Sequence, residues 1–187
     1  MRKRKIGEVP VRPRRYALVW LFTLPWDILA YLAVLLIWLV FGQKLHWLGG
    51  LWCELKETSW PVRTWYAGYG GTTLGHGGFY GPGASAGHGW DTYVEVHEHI
   101  HVEQYEVAMF LTFMLGIATF ITTSLFQMSW TASSFLSLGI WMSGYLLFFC
   151  GGWLVAYLRG ERAYYGSQHE EAAYALAAEY EREKGGF

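Results

Sequence analysis

EVHEHIHVEQYE, residues 95–106, stands directly before the uncharged run VAMFLTFMLGIATFITTSLF, residues 107–126. The first stretch places three histidines and four glutamates in twelve positions, although only 16% of the whole chain is charged. The second stretch is long enough to cross a bilayer, which takes about 20 mostly apolar residues. A polar, histidine-rich segment therefore directly precedes a candidate membrane span.

Two further runs, 16–41 and 133–158, also have the length and composition of membrane spans. The first is too long for the apolar part of a secretory signal peptide and lacks a small-residue cleavage site after it, so we expect a retained anchor. Pro25 and Asp27 interrupt this run, which predicts a span that begins near Trp26 after an interfacial segment, with Asp27 at its boundary or in its first turn.

The second and third runs are separated by only a few residues, so they should form an antiparallel transmembrane hairpin. Small residues on transmembrane helices allow close approach of the two backbones. The candidates in this hairpin are Gly116, Gly139, Gly144 and Gly151.

Composition narrows the class of protein. The chain is 53% hydrophobic and has eleven Trp and thirteen Tyr, which fits rings placed at membrane–water interfaces. A net charge of −1 does not indicate binding to nucleic acid, which usually requires a strongly basic surface. Cys53 and Cys150 alone cannot build a disulfide framework or a CxxC metal site.

The segment 42–105, between the first two spans, is polar and aromatic, and its middle is too rich in glycine for a helix. Short strands at Thr64–Tyr69 and Thr72–Tyr80, followed by a Gly-Pro-Gly loop, are predicted. After the third span, Ser167–Lys184 is rich in Ala and Glu and predicts a helix that ends at glycines.

Within the opening stretch, His97, Glu98 and His101 form an HExxH motif. Residues four apart share one face of a helix, so both imidazoles can bind one zinc ion. Glu98 lies about 100° round the helix, near enough to act on a zinc-bound water. Gln104 falls on the histidine face again, whereas His99 should point away as a packing or solvent histidine.

A zinc hydrolase site needs a third protein ligand, and the tail sequence HEEAAYALA offers Glu170 or Glu171 on a helix. A two-span hairpin returns the chain to the side of the membrane that it left. The motif helix and the tail helix are therefore expected on the same face of the membrane.

HEHIHVEQYE with a distant EEAAY resembles the gluzincin group of metallopeptidases, and TLGHGGFYGPG with HEHIHVEQYE resembles small bacterial membrane proteins that carry LGH…HExxHxxQYE. The resemblance implies that His97 and His101 are zinc ligands and Glu98 the general base. It also implies Glu170 as third ligand, because Ala173 and Tyr174 then fill the ExxAY positions. Glu171 is the alternative.

His76 and His88 lie in Gly-rich loops, where either could approach the metal or orient a substrate carbonyl. Glu98 and His101 also fit half of a carboxylate di-iron site, but that arrangement uses a second ExxH, which this chain lacks. Zn²⁺ is therefore the expected cofactor.

The expected fold is a mainly α integral membrane protein with three transmembrane helices and a small zincin-like α+β region. Its parts are a basic tail (1–15), the first span (16–41), an extramembrane segment with the HExxH helix (42–105), a hairpin (106–158) and a C-terminal helix with the third ligand (159–187). The expected partners are the bilayer and a peptide or protein substrate, which a strand within Thr64–Tyr80 could pair with.

The resemblance implies a membrane-anchored zinc metallopeptidase. The alternative is a non-catalytic, zincin-like structural subunit of a larger membrane complex, which the many aromatic residues would suit. Seven of the fourteen Lys and Arg precede the first span, and this favours a cytoplasmic N-terminus in a bacterial inner membrane with the metal site on the periplasmic face. Arg159 and Arg162, directly after the third span, argue for the opposite orientation.

Overall fold

The computed structural model describes residues 16–47, 49–64, 71–81, 92–162, 164 and 166–183. Four expectations lie outside these residues: the basic tail 1–15, the strand at 65–69, the Gly-Pro-Gly loop beyond Gly81, and any role of His88.

Helices dominate the described chain, and a small four-stranded sheet accompanies them. Three of the helices are long and apolar enough to cross a membrane, over Val19–Phe41, His97–Leu125 and Trp130–Leu158. The elements in chain order are α1 (Tyr16–Phe41), β1 (Gly42–Trp47), β2 (Leu51–Leu55), α2 (Trp60–Thr64), β3 (Gly71–Leu74), β4 (Gly77–Tyr80), α3 (Thr92–Leu125), α4 (Trp130–Leu158) and α5 (Gln168–Glu183).

The helix α1 covers the whole predicted first run and passes through Pro25 without a break. By length and composition the candidate span starts at Val19 and not near Trp26, the expected start. Proline removes one backbone donor, and apolar membrane helices tolerate this because neighbouring groups satisfy the freed carbonyl. Asp27 consequently lies within the helix, fully buried, and not at its boundary.

The HExxH motif and the second span belong to one helix of 34 residues, α3. The expected division between an extramembrane segment with the motif and a hairpin starting at residue 106 stays a prediction, and one continuous backbone helix carries both parts. No proline occurs from Thr92 to Leu125, so nothing in the sequence breaks the helix as charge gives way to apolar residues.

The sheet has the strand order β1-β2-β4-β3. The pairs β1–β2 and β3–β4 are antiparallel, whereas β2 and β4 pair in parallel. The single strand predicted over Thr72–Tyr80 is in fact two, because the chain turns at Gly75, which adopts φ 58°. Thr64, predicted to begin a strand, ends α2, and β1 and β2 were not predicted.

One face of the sheet is apolar and packs on α1. Cys53 and Leu55 of β2 are fully buried in a cluster with Val34 of α1, and Phe41 packs against the same cluster. Burial raises the pKa of the Cys53 thiol to about 11, with a smaller contribution from the nearby Glu54 carboxylate. Cys53 is accordingly a small core residue and not a reactive thiol.

The opposite face of the sheet meets the first turns of α3. Trp52 of β2, Gly78 of β4 and Thr73 of β3 are register partners and so lie on one face. The Trp52 ring stacks on the His99 ring, and the Thr73 hydroxyl bonds to Glu98. Of the two predicted roles for His99, packing or solvent contact, the structure shows packing. The sheet thus lies between α1 and α3.

Backbone contacts divide the chain into two compact units whose boundaries fall inside α1, α3 and α5. The first unit contains the sheet, α1 from Trp26, α3 up to Val102 and α5 from Ala172. The second contains α1 up to Pro25, α3 from Glu103, α4 and the chain to Glu171.

Within the second unit, two of the four glycines predicted to allow close helix contact do so. A Cβ on Gly144 would meet the Thr112 side chain at 2.1 Å, and one on Gly116 would meet the Ser137 carbonyl oxygen at 2.9 Å. Gly139 and Gly151 have open space instead, so the expectation is wrong for these two. The Tyr105 hydroxyl also donates to the Thr23 carbonyl, which ties α1 to α3.

Candidate metal centre

His97 and His101 lie one turn apart on α3, and their imidazoles converge. Their Nε2 atoms are 3.1 Å apart, and the rings are nearly perpendicular, with centroids 4.7 Å apart. Both side chains are buried. The i, i+4 spacing produces this directly, because such residues project from the same helix face.

Glu170, at the start of α5, completes a group of three potential ligands. One ligand atom from each of His97, His101 and Glu170 lies within 4.8 Å of the others, and all three residues are buried. Glu171 is exposed, and it is not a member of this group. Of the two candidate carboxylates, Glu170 is thus the one that lies in a group that could hold a metal ion.

The neighbouring residues of α5 explain how Glu170 is held. The Tyr174 ring lies 4.4 Å from the His97 ring, and Ala173 is fully buried. Glu170 precedes Tyr174 by four residues in one continuous helix, so both project from the same face of α5. Of the ExxAY positions, Ala173 is thus a buried residue of α5, and Tyr174 packs on a histidine of the motif.

The donor set fits a metal ion that prefers nitrogen and oxygen ligands. Two imidazoles and one carboxylate are the protein ligands of a common type of catalytic zinc site, in which the fourth position stays open. Tetrahedral geometry with Zn–N bonds near 2.05 Å places two ligand nitrogens about 3.3 Å apart. The observed Nε2–Nε2 distance of 3.1 Å is close to that value.

Glu98, the other residue of the motif, is buried beside the sheet and does not belong to the ligand group. Its Oε2 accepts a hydrogen bond of 2.5 Å from the Thr73 hydroxyl. A Cβ on Gly71 would lie 2.9 Å from Oε1, so β3 also approaches the other oxygen closely. Sequence reasoning missed both Thr73 and Gly71, because nothing in the motif indicates which strand packs beside it.

Gln104 lies one turn beyond His101, as predicted, but its role is to hold α5. Its Nε2 donates to the His169 carbonyl oxygen at 2.9 Å. The His169 ring packs on Phe149 with centroids 4.8 Å apart, and its Nε2 lies 3.3 Å from the Ser167 hydroxyl. His169 therefore projects onto α4, and its backbone is held next to the ligand Glu170.

His76 pairs with Asp27 and does not join the ligand group. Its Nδ1 lies 2.8 Å from Asp27 Oδ2, and its backbone N–H donates to Asp27 Oδ1 at 3.1 Å. Both side chains are buried. The pair connects the β3–β4 turn to α1 and supplies the partner that a carboxylate inside an apolar helix requires. His88 lies outside the described residues.

The comparisons with known proteins add no relative from which roles could be transferred. No protein-family model matches the chain, and no curated protein or solved structure matches it. The likeness to gluzincins therefore remains a prediction from the motif residues, and the case for a metal centre rests on the geometry of His97, His101 and Glu170.

Proposed function

We propose that this chain is a membrane-anchored zinc metallopeptidase. The observation that carries the proposal is the buried convergence of His97, His101 and Glu170, together with a second buried carboxylate, Glu98, which follows His97 in the chain. A purely structural zinc site has no need of that second carboxylate. Three helices long and apolar enough to cross a membrane supply the anchor.

His97, His101 and Glu170 would hold the ion, since two imidazoles and one carboxylate are the protein ligands of a common type of catalytic zinc site. A bound Zn²⁺ would supply a Lewis acid, which lowers the pKa of water from about 16 to about 7 and polarises a carbonyl. The ligand nitrogens are held by α3 and the ligand oxygen by the first turn of α5. The metal site is therefore built on two helices and not on loops.

Glu98 is the proposed general base and acid. It accepts a proton from water as the water oxygen adds to the carbonyl carbon of the peptide bond. The C–N bond then breaks, and Glu98 delivers the proton to the leaving amine nitrogen. Two features support this role: Glu98 follows the proposed ligand His97 in the helix, and its carboxylate accepts a short hydrogen bond from Thr73.

The test combines metal analysis with hydrolysis of a diverse set of quenched fluorescent peptides by the detergent-purified full chain. The wild type should hold one zinc per chain and cleave some of these peptides. Glu98→Gln should keep its zinc and lose about 10²–10⁴-fold in turnover, the usual contribution of general acid–base catalysis. Glu103→Gln, an exposed carboxylate on the same helix, is the matched control and should remain active.

Hydrolysis that survives Glu98→Gln would remove Glu98 from the role given to it. Zinc in the wild type without cleavage of any peptide would favour the alternative, a structural subunit of a membrane complex. One observation is in accord with this alternative: Trp47 and Trp60 are 62% and 56% exposed although both lie outside the three candidate spans. Exposed tryptophans are typical of residues that anchor interfaces.

A further inference from the structure

Thr73 belongs neither to the HExxH motif nor to the three proposed ligands, yet it bonds to Glu98. It lies on β3, an end strand of the described sheet, and 25 residues before Glu98 in the chain. Its hydroxyl is 2.5 Å from Glu98 Oε2 and 3.1 Å from the Glu98 carbonyl oxygen. A hydroxyl has one proton, so the shorter distance identifies the carboxylate as the principal acceptor.

The bond has the properties of a positioning contact. Both residues are buried, with Thr73 8% and Glu98 4% exposed. A hydrogen bond to an ionised acceptor is shorter and stronger than a neutral one, and it fixes the rotation of the carboxylate plane. Thr73 is itself restricted at χ1 because it is β-branched and sits in a strand.

The same strand also limits the second carboxylate oxygen. Gly71 is two residues before Thr73, so both lie on the sheet face that meets α3. Any side chain at Gly71 would come within 2.9–3.0 Å of the Glu98 carboxylate. One carboxylate oxygen therefore receives a hydrogen bond while the backbone of β3 lies close to the other, so the Glu98 carboxylate has little freedom to rotate.

We propose that Thr73 is the positioning residue of this site, holding Glu98 in the orientation in which it exchanges a proton with water. The proposal rests on the proposed peptidase function. In this role Thr73 acts through its hydrogen bond to Glu98 and not through contact with the substrate or the metal. Misplacing a reacting group by about 1 Å can reduce turnover by about 100-fold. Loss of the single Thr73 hydroxyl can therefore lower turnover measurably.

The test compares three variants of the zinc-loaded full chain in detergent. Thr73→Val removes the hydroxyl and keeps the shape, Thr73→Ser keeps a hydroxyl, and Thr72→Val changes the neighbouring residue of the same strand, whose side chain faces away from α3. Thr73→Val should lower kcat by about 10- to 100-fold with KM within about twofold and zinc content unchanged. Thr73→Ser should recover most of the loss, and Thr72→Val should behave as the wild type.

A second readout does not depend on turnover. In protein loaded with Co²⁺ in place of zinc, the visible absorption bands respond to groups next to the ion. Thr73→Val should shift these bands in the same direction as Glu98→Gln, while Thr73→Ser and Thr72→Val should leave them in place.

The possible outcomes test the positioning role of Thr73 and the proposed function separately. Wild-type kcat in Thr73→Val, or an equal loss in Thr73→Ser, overturns the positioning role. A Thr73→Val protein that fails to fold or to hold zinc assigns the residue to the structure and overturns the role as well. A wild type without activity on any peptide instead overturns the proposed function, so the two failures are distinguishable.

Discussion

At the residue scale, the candidate metal centre depends on which of two adjacent carboxylates faces the histidines. Glu170 is buried and shares a ligand group with His97 and His101, whereas Glu171 is exposed. Glu170→Ala should lower zinc affinity by more than the 10- to 100-fold that loss of a supporting residue usually costs, because a direct ligand is removed. Glu171→Ala, one residue along the same helix, should bind zinc as the wild type does.

Competition with a chromophoric chelator measures both affinities on the folded proteins. Circular dichroism of the zinc-free proteins serves as the check that α5 remains helical in each variant. Zinc loss in Glu171→Ala together with full affinity in Glu170→Ala would contradict the ligand assignment.

At the scale of elements, the α3–α4 hairpin depends on glycine at particular positions. The side chain of Thr112 occupies the space that a Cβ at Gly144 would need, and its hydroxyl lies 3.2 Å from the Trp141 carbonyl oxygen of α4. Gly144→Ala should therefore destabilise the fold by about 1–3 kcal/mol, the usual range for overpacking. Gly139→Ala meets nothing within 4 Å and should be neutral or gain up to about 1 kcal/mol from helix propensity.

Gly144→Ala and Gly139→Ala are the same substitution at two positions of α4, so each serves as the control for the other. Unfolding free energies in mixed detergent micelles give the comparison. Equal effects at the two positions would show that close packing of the hairpin does not depend on Gly144.

At the scale of the whole molecule, three crossings should place the α3–α4 turn and α5 on opposite sides of the membrane. We expect the turn in the cytoplasm and α5 outside, because the basic residues before α1 favour a cytoplasmic N-terminus. With both native cysteines replaced by serine, a cysteine at the exposed Glu179 should react with an impermeant maleimide in intact spheroplasts. A cysteine at the exposed Met128 should react only after permeabilisation.

The two positions also distinguish a reversed orientation from a wrong number of spans. Reaction at Met128 but not at Glu179 would reverse the orientation and leave the hairpin intact. Reaction at both positions in intact cells would contradict the three-span topology itself.

Local patterns in the sequence predicted a large part of this structure. The three spans follow from composition over windows of about 20 residues, and α1 has the predicted limits, Tyr16–Phe41. The predicted tail helix agrees with α5 to within one residue at each end. The pairing of His97 with His101 needs only the helix repeat, so the motif by itself placed two ligands on one face.

Patterns among residues near each other in the chain were thus enough to predict the candidate spans, the paired histidines and the helix that carries Glu170. Tertiary packing fixed the contacts between distant segments. These are the parallel pairing of β2 with β4, the Asp27–His76 pair across 49 residues and the Thr73–Glu98 bond across 25. The physical reason is that composition and periodicity act over one or two helical turns, whereas the partner of a buried polar group is fixed by how the sheet packs between α1 and α3.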